Sequence, residues 1–262
     1  MLELKPALAR LQDAGMPLVA VRGGERTGRV TAPHRHAPGQ LFGATRGVLT
    51  IGTESGLWVV PSTHAVWVPP HHLHSLRSHG AFEGASVYVA EPACADLPSE
   101  PCALRQTGLL REAIARAASW DDSAPDAARR RVAELILDEI RVLPPEQPGL
   151  PAPRDARAVR IARALIADPS DKRRLEEWAA WAGLSPRTLT RLFVAETGGS
   201  FGAWRERARL ARALERLAAD APVTTVALEL GYENPSAFIA MFRRAHGVTP
   251  ARWLEHSQKA GG

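Results

Sequence analysis

The last third of the chain repeats itself, and that repeat leaves few folds open. Leu175, Trp178, Ala179 and Ala182 recur as Val223, Val226, Ala227 and Leu230 at an offset of 48 residues, and Gly183 recurs as Gly231 at the same offset. Leu189, Leu192, Phe193 and Gly198 recur as Phe238, Met241, Phe242 and Gly247, now offset by 49, a spacing that Trp204 and Trp253 keep. One residue is therefore inserted in the turn inside the unit. In each copy, apolar residues at i, i+3, i+4 and i+7 bury one face of a short helix, a Gly stops it, and a second helix buries another i, i+3, i+4 set. Ser185-Pro186 and Asn234-Pro235 start the second helices with an N-cap followed by proline at the first helical position. Two short helices joined by a tight Gly-containing turn form a helix-turn-helix. The spacing predicts one over 175–197 and another over 223–246. Helical hairpins imitate a single copy, but two copies in register are specific.

Charge separates along the chain in the same place. Residues 1–153 carry 15 Lys+Arg against 16 Asp+Glu, whereas residues 154–262 carry 18 against 12. The positive excess lies wholly beside the repeat, where a polyanion is the natural partner. Once Leu189, Leu192 and Phe193 face inward, Arg187, Thr188 and Arg191 project outward, with Thr190 on the flank. Arg suits a bidentate grip on guanine O6 and N7, and Thr offers a hydroxyl or a methyl. In the second copy Phe238, Met241, Phe242 and Ala245 are expected inside, leaving Ser236, Ala240 and Arg243 outside with Ile239 beside them. That face reads bases by the Ser hydroxyl or by methyl contact, or holds the DNA backbone through Arg243 and Arg244. Residues 200–220 read as one connecting helix of ~30 Å, close to the ~34 Å between successive major grooves on one side of a duplex. Its arginines 205, 207, 209, 212 and 216 are expected on a solvated face, and Trp178, Trp204 and Trp253 in the core.

Before the repeat, PPEQPGLPAP (144–153) places five prolines in ten positions, which neither a helix nor a strand interior tolerates. We read 144–155 as a stiff extended linker. Upstream, VLTIGT (48–53), LWVVP (57–61), AVWVP (65–69) and ASVYVA (85–90) are short β segments separated by Gly, Pro, Ser and His, the pattern of a small all-β barrel or sandwich over 1–103. Residues 104–143 switch to helical periodicity, with a stripe of Val132, Leu135, Ile136, Glu139 and Ile140 that packs on the barrel or pairs with a second subunit. The expected fold class is thus α+β in two domains: an N-terminal β-barrel with flanking helices and an all-α domain over 156–257. No stretch approaches the ~18 apolar residues of a membrane span, and the N-terminal residues lack the apolar run of a signal peptide. Cys94 and Cys102 are too few for a disulfide framework and are assigned no role. These features point to a cytoplasmic protein without a membrane partner.

VTTVALELGYENPSAFIAMFRRAHGVTPARW (223–253) closely resembles the signature of AraC/XylS-type transcriptional regulators, and LEEWAAWAGLSPRTLTRLFVAETGGSFGAW (175–204) resembles that family's first helix-turn-helix. The resemblance implies a seven-helix domain that binds double-stranded DNA through two reading helices. By match to the motif, their base-facing positions are Arg187, Thr188 and Arg191, then Ser236 and Ala240; many members carry a longer polar residue where Ala240 stands. It further implies a homodimer formed through the helical segment, a sensed effector, and RNA polymerase as a further partner.

Seven of the nine histidines (34, 36, 64, 71, 72, 74 and 79) fall within the β region. Gly28, His34, His36, Gln40 and Gly47 stand in the spacing G-x5-H-x-H-x3-Q-x6-G, similar to the first cupin motif with Gln in place of Glu. In a strand, i and i+2 share a face, so His34 and His36 can grip one ion. PPHHLH (69–74) resembles the second cupin motif, with His74 in the ligand position and His71 where the motif has Gly. Three imidazoles and a neutral amide suit one transition metal ion (Zn, Ni, Co, Fe or Cu) rather than Mg or Ca. The other reading is a small organic effector, with the same side chains as its hydrogen-bond partners. The expected function is a sequence-specific DNA-binding regulator that senses a ligand in the cupin-like domain. The alternative, a metal-dependent cupin enzyme fused to a DNA-binding domain, is disfavoured because Gln40 replaces the usual carboxylate and no further acid or base stands in matching spacing. A purely architectural DNA binder would leave the histidines unexplained.

Overall fold

The computed structural model describes residues 9, 11, 15–121, 126–146 and 149–259, with side chains through 255. The chain divides into two units, one of residues 1–54 and 58–148, the other of Ser55–Leu57 and Gly149–Lys259.

The first unit is built on an antiparallel sheet. Its strands are β1 (Leu18–Glu25), β2 (Val30–His34), β3 (Gly39–Thr53), β4 (Gly56–Val60), β5 (His64–Val68), β6 (His74–Val89), β7 (Cys102–Arg105) and β8 (Pro145–Glu146). They run in the order β1-β6-β3-β5-β7-β8, with β2 also on β6 and β4 on β3. The two long strands β3 and β6 stay paired from Gly39 opposite Val89 to Thr53 opposite His74, with register shifts around Arg46. Gly47 sits at that irregularity with φ +80°, and a Cβ there would lie 2.4 Å from the Ala81 carbonyl oxygen, so only glycine fits. Beyond the bulge, β6 changes partner, pairing β1 on one half and β2 on the other.

Alternation along the strands sorts the core into two layers. Leu41, Ala65 and Trp67 point to one face, where they join Leu18, Val87 and the helices α1 (Gly108–Ala117) and α2 (Ala127–Val142). Phe42, Val66 and Val68 point to the other, with Leu49, Ile51, Trp58 and Val60. The expected barrel is not closed: among the described residues, β1 and β8 end the path and do not pair with each other. Two physical causes are visible. Pro145 in β8 has no N–H to offer a further strand, and the apolar face is covered by α1 and α2, which contribute Leu110, Ile114, Ile136 and Ile140.

The helical segment differs in detail from its predicted stripe. The buried residues of α2 are Ala133, Ile136, Leu137 and Ile140, while Val132 and Leu135 are half-buried. These buried residues pack with α1 into the core of their own unit. Glu139 accepts a hydrogen bond from Thr107 Oγ1 at 2.5 Å, tying α2 to the residue that N-caps α1. Within the linker expected over 144–155, where the boundary between the two units falls, two short strands form. Pro145–Glu146 pairs with Ala103 and Leu104, and within the second unit β9 (Leu150–Pro151) pairs with Gly56 and Leu57. Leu150 is buried in the core of that unit. The prolines are tolerated because these two-residue edge ladders need few N–H donors.

The second unit contains seven helices among the described residues: α3 (Ala156–Ala167), α4 (Leu175–Trp181), α5 (Pro186–Thr197), α6 (Phe201–Ala218), α7 (Val223–Glu229), α8 (Pro235–His246) and α9 (Pro250–Lys259). Trp178, Phe193 and Trp204 fill one core around α3 to α6, while Val226, Leu230, Phe238 and Phe242 are equally buried around α7 and α8. Trp253 is half-buried. Ala245, expected inside, is exposed because it lies in the last turn of α8, beyond the buried set Phe238, Met241 and Phe242. Among the described residues no helix is long and apolar enough to cross a membrane.

Candidate functional site

The two helix pairs are assembled by the same local chemistry. Gly183 and Gly231 follow α4 and α7 with φ of +69° and +80°, the left-handed turn that lets the next helix begin. Ser185 Oγ then accepts from the Thr188 N–H at 3.1 Å, and Asn234 Oδ1 from the Ala237 N–H at 3.0 Å. Burial of Leu189 and Phe193 leaves Arg187 and Arg191 exposed on α5. Neither guanidinium has a partner among the described residues, so both are free for a ligand. The two threonines are already engaged. Thr188 Oγ1 shares a 2.8 Å hydrogen bond with Ser185, and Thr190 Oγ1 donates to the Pro186 carbonyl at 3.0 Å. Val194, 50% exposed, was missed by sequence reasoning. Its spacing of i+7 from Arg187 places it on the same face.

On α8, Ser236, Ala240 and Arg243 are exposed at i, i+4 and i+7. Arg243 is unpaired among the described residues. Arg244 is not available in the same way: its Nη2 donates to Glu206 Oε1 at 2.6 Å, so it braces α8 against α6. The connecting helix follows the same logic. Arg205 donates to the carbonyls of Arg173 and Asp171, Arg209 to that of Pro169, and Arg216 makes a two-pronged bond to Glu229. Burial holds the Arg205 guanidinium below its usual pKa, and the Arg216 guanidinium holds the Glu229 carboxyl below its own. The solvated face expected for these arginines is therefore mostly bracing; Arg207 is the one of the five with no partner among the described residues.

In the first unit, His34 at the end of β2 lies opposite His74 at the start of β6, and His36 and Gln40 reach the same place from the β2–β3 loop and β3. Ligand-capable nitrogens of the three histidines lie within 4.8 Å of one another. Each ring directs Nδ1 at a backbone carbonyl: His34 to Ala32 at 3.0 Å, His36 to Pro38 at 2.8 Å, His74 to His72 at 2.9 Å. Donation from Nδ1 fixes the tautomer and leaves the lone pair on Nε2. His74 Nε2 is buried without a partner among the described residues. His36 Nε2 faces the buried Gln40 amide at 3.0 Å. Burial drives the His74 pKa down to about 4 and lowers that of His36, helped in both by the neighbouring His34. Both rings are thus neutral near pH 7, the form that ligates metals.

The remaining histidines of the cluster do other work. His64 Nε2 lies 2.9 Å from Glu146, His79 Nε2 lies 2.9 Å from Thr50 Oγ1, and the His72 ring turns to the Pro70 carbonyl. His71 adopts φ +62°, donates its N–H to the His36 carbonyl and sets its ring 3.1 Å from Glu91. A left-handed residue is required where the cupin motif has Gly, and here His bears it. A small cavity of about 70 Å³ adjoins the cluster, lined by His34, Gln40, Phe42 and Tyr88 among others. Burial raises both thiols, that of Cys102 to about 11, which keeps them protonated and unreactive.

Residues 178–256 match the helix-turn-helix domain family. The chain is 34% identical over 230 residues to the HTH-type transcriptional regulator NimR of Escherichia coli, covering 87% of this chain and 84% of that protein. It is 41% identical over 128 residues to the HTH-type transcriptional regulator RipA of Corynebacterium glutamicum, covering 49% of this chain and 35% of that one. Among solved structures, ToxT from Vibrio cholerae overlaps 92% of this chain and 98% of its own at 10% identity and a TM-score of 0.41. The extent and identity of the match to NimR, together with the duplicated helix pairs, place the chain in a family: it belongs to the DNA-binding helix-turn-helix transcriptional regulators of the AraC type.

Proposed function

We propose that this regulator reads two successive major grooves of double-stranded DNA with α5 and α8, under the control of a ligand held in a cupin-like N-terminal unit. The observation that carries the DNA reading is the pair of unpartnered, exposed guanidiniums of Arg187 and Arg191 on a capped helix whose opposite face is buried. In this reading Arg187 and Arg191 contact base edges with Thr188, while Thr190 lies at the flank. Ser236 and Ala240 meet bases in the next groove, and Arg243 holds phosphate. Arg244 reaches phosphate only by leaving Glu206. The ion pairs from α6 to α7 and α8 keep the second helix at a set distance from the first, which two-groove reading requires.

His34, His36 and His74 fit a transition metal ion (Zn, Ni, Co, Fe or Cu), with Gln40 beside them. The fit rests on the orphaned Nε2 of His74 and the three Nδ1–carbonyl bonds that orient the rings. A bound ion supplies positive charge and directional bonds where β2, the β2–β3 loop and β6 meet. A small organic effector in the adjoining cavity uses the same imidazoles as hydrogen-bond partners. Either ligand regulates only by binding the DNA-competent and incompetent states with different affinity. The protein acts as a homodimer through the helical segment of the first unit, with RNA polymerase as a further partner. Footprinting on the DNA flanking its own gene tests the reading: two protected patches one helical turn apart are expected per protomer, and protection of a single groove would overturn it.

A further inference from the structure

The duplication of the helix pairs supplies a comparison that neither copy offers alone. At the 49-residue offset that relates α5 to α8, Arg187, Arg191 and Val194 correspond to Ser236, Ala240 and Arg243. All six side chains are exposed. The chemistry is exchanged between the copies: α5 carries two guanidiniums and then an apolar residue, whereas α8 carries two small residues and then a guanidinium. Arg243 is unpaired among the described residues and suits a phosphate. Val194, at the matching position of α5, has a side chain that neither donates a hydrogen bond nor neutralises charge. The position therefore serves a different contact in the first copy.

Among the described residues, no other large apolar side chain stands exposed on α5 or α8. Valine is a poorer helix former than alanine. Its helical neighbours three and four residues back are Arg191 and Thr190 rather than large apolar residues, so α5 itself gains little from a valine there. Seven residues from Arg187, Val194 lies roughly 20° from that side chain around the helix, and three from Arg191 it lies roughly 60° away. Whatever the two free guanidiniums face, Val194 faces too. Its backbone is fixed, because its carbonyl accepts the Gly198 N–H at 3.2 Å in the left-handed cap of α5. Its side chain is stiff at χ1 in a helix, so making a contact costs little in ordering.

In the major groove the base edges present hydrogen-bond donors and acceptors and one apolar group, the C5-methyl of thymine. We propose that Val194 is a specificity-determining residue of α5 that packs on the C5-methyl of a thymine beside the base pairs met by Arg187 and Arg191. This rests on α5 being a groove-reading helix and adds to that reading a base and its place. At ~1.5 Å of rise per residue, Val194 stands about 4.5 Å beyond Arg191 and about 10.5 Å beyond Arg187 along the axis. Those distances correspond to one to three steps of ~3.4 Å along the duplex. The thymine accordingly lies within about three base pairs of the position that Arg191 reads.

The test uses the full-length protein, a duplex selected from a random pool, and copies of that duplex in which each thymine in turn becomes deoxyuridine. That change deletes the C5-methyl and leaves base pairing intact. In fluorescence anisotropy the wild type should bind one copy about threefold to fivefold more weakly than the parent duplex, the effect of one buried methyl. The sensitive position should fall within about three base pairs of the one at which Arg191→Ala relaxes base preference. Val194→Ala, a change on an exposed helix face, should bind that copy and the parent equally. A window without thymine, a wild type indifferent to every methyl in it, or a methyl dependence that persists in Val194→Ala would each overturn the assignment. An apolar contact to deoxyribose gives the second of these results. Failure of the underlying reading is distinct, because Arg191→Ala would then leave base preference unchanged as well. Relaxed preference in Arg191→Ala without any methyl dependence refutes the Val194 contact alone.

Discussion

Replacing Arg191 by Ala separates base reading from backbone holding. Arg191 is exposed on α5 and has no partner among the described residues, so its removal orphans no buried group there and leaves the free protein within about 0.5 kcal/mol of its original stability. The whole cost then falls on the complex. A bidentate arginine–guanine contact is worth roughly 1–3 kcal/mol, or about 5- to 150-fold in Kd. On random DNA the same side chain contributes at most one neutralised phosphate, so the loss there should be small and fade with salt. The assay is fluorescence anisotropy on a duplex selected from a random pool and on an unrelated duplex, each across a salt series. The expected outcome is a large loss confined to the selected duplex, an unchanged salt slope and relaxed preference at one base pair. Arg244→Ala is the internal control. It breaks an exposed pair with Glu206 worth about 0.2–1 kcal/mol of stability and should leave base preference intact. Equal losses on both duplexes for Arg191→Ala, with the salt slope lowered by about one unit, would make Arg191 a phosphate contact and refute the argument.

Other expectations follow from the same geometry. Protein purified without chelator should carry about one equivalent of a transition metal by elemental analysis, and His74→Ala should remove it without unfolding the protein; an empty wild type would leave the organic effector as the ligand. Gly231→Ala should destabilise more than Gly183→Ala in urea unfolding. Both glycines have positive φ, but only at Gly231 would the new Cβ strike Ser170, 2.9 Å from its carbonyl oxygen; equal effects would show that Ser170 yields. His71→Val should cost about 1–2 kcal/mol more than His71→Gly, since a β-branched side chain resists the left-handed conformation most. Asp155 caps α3, and its hydrogen bonds with Arg157 hold its carboxyl at about 2. A depressed carboxylate pKa stabilises fully above the unfolded value near ~3.9 and loses its effect as pH falls through about 2. The stability gap between wild type and Asp155→Ala, measured by urea unfolding, should therefore be constant above pH ~5 and close on acidification; a gap independent of pH would show that the cap does not depend on charge.

What the linear sequence determined was everything whose cause is local. The 48- and 49-residue offsets, the Ser185-Pro186 and Asn234-Pro235 starts and the glycines after α4 and α7 specify the paired helices, because caps and left-handed turns are made by neighbours in the chain. The His-x-His spacing likewise put His34 and His36 on one side of the backbone before any fold was known. What only the tertiary structure decided was pairing across distance. No local pattern says that Arg244 is taken by Glu206, that Arg205 and Arg209 brace a loop, or that His74 comes opposite His34 while His64 and His79 go elsewhere. Prolines that read as a free tether become edge strands once Ala103, Leu104, Gly56 and Leu57 lie beside them. Hydrogen-bond partners and side-chain neighbours across a sheet are set by register and packing, which no window of adjacent residues encodes.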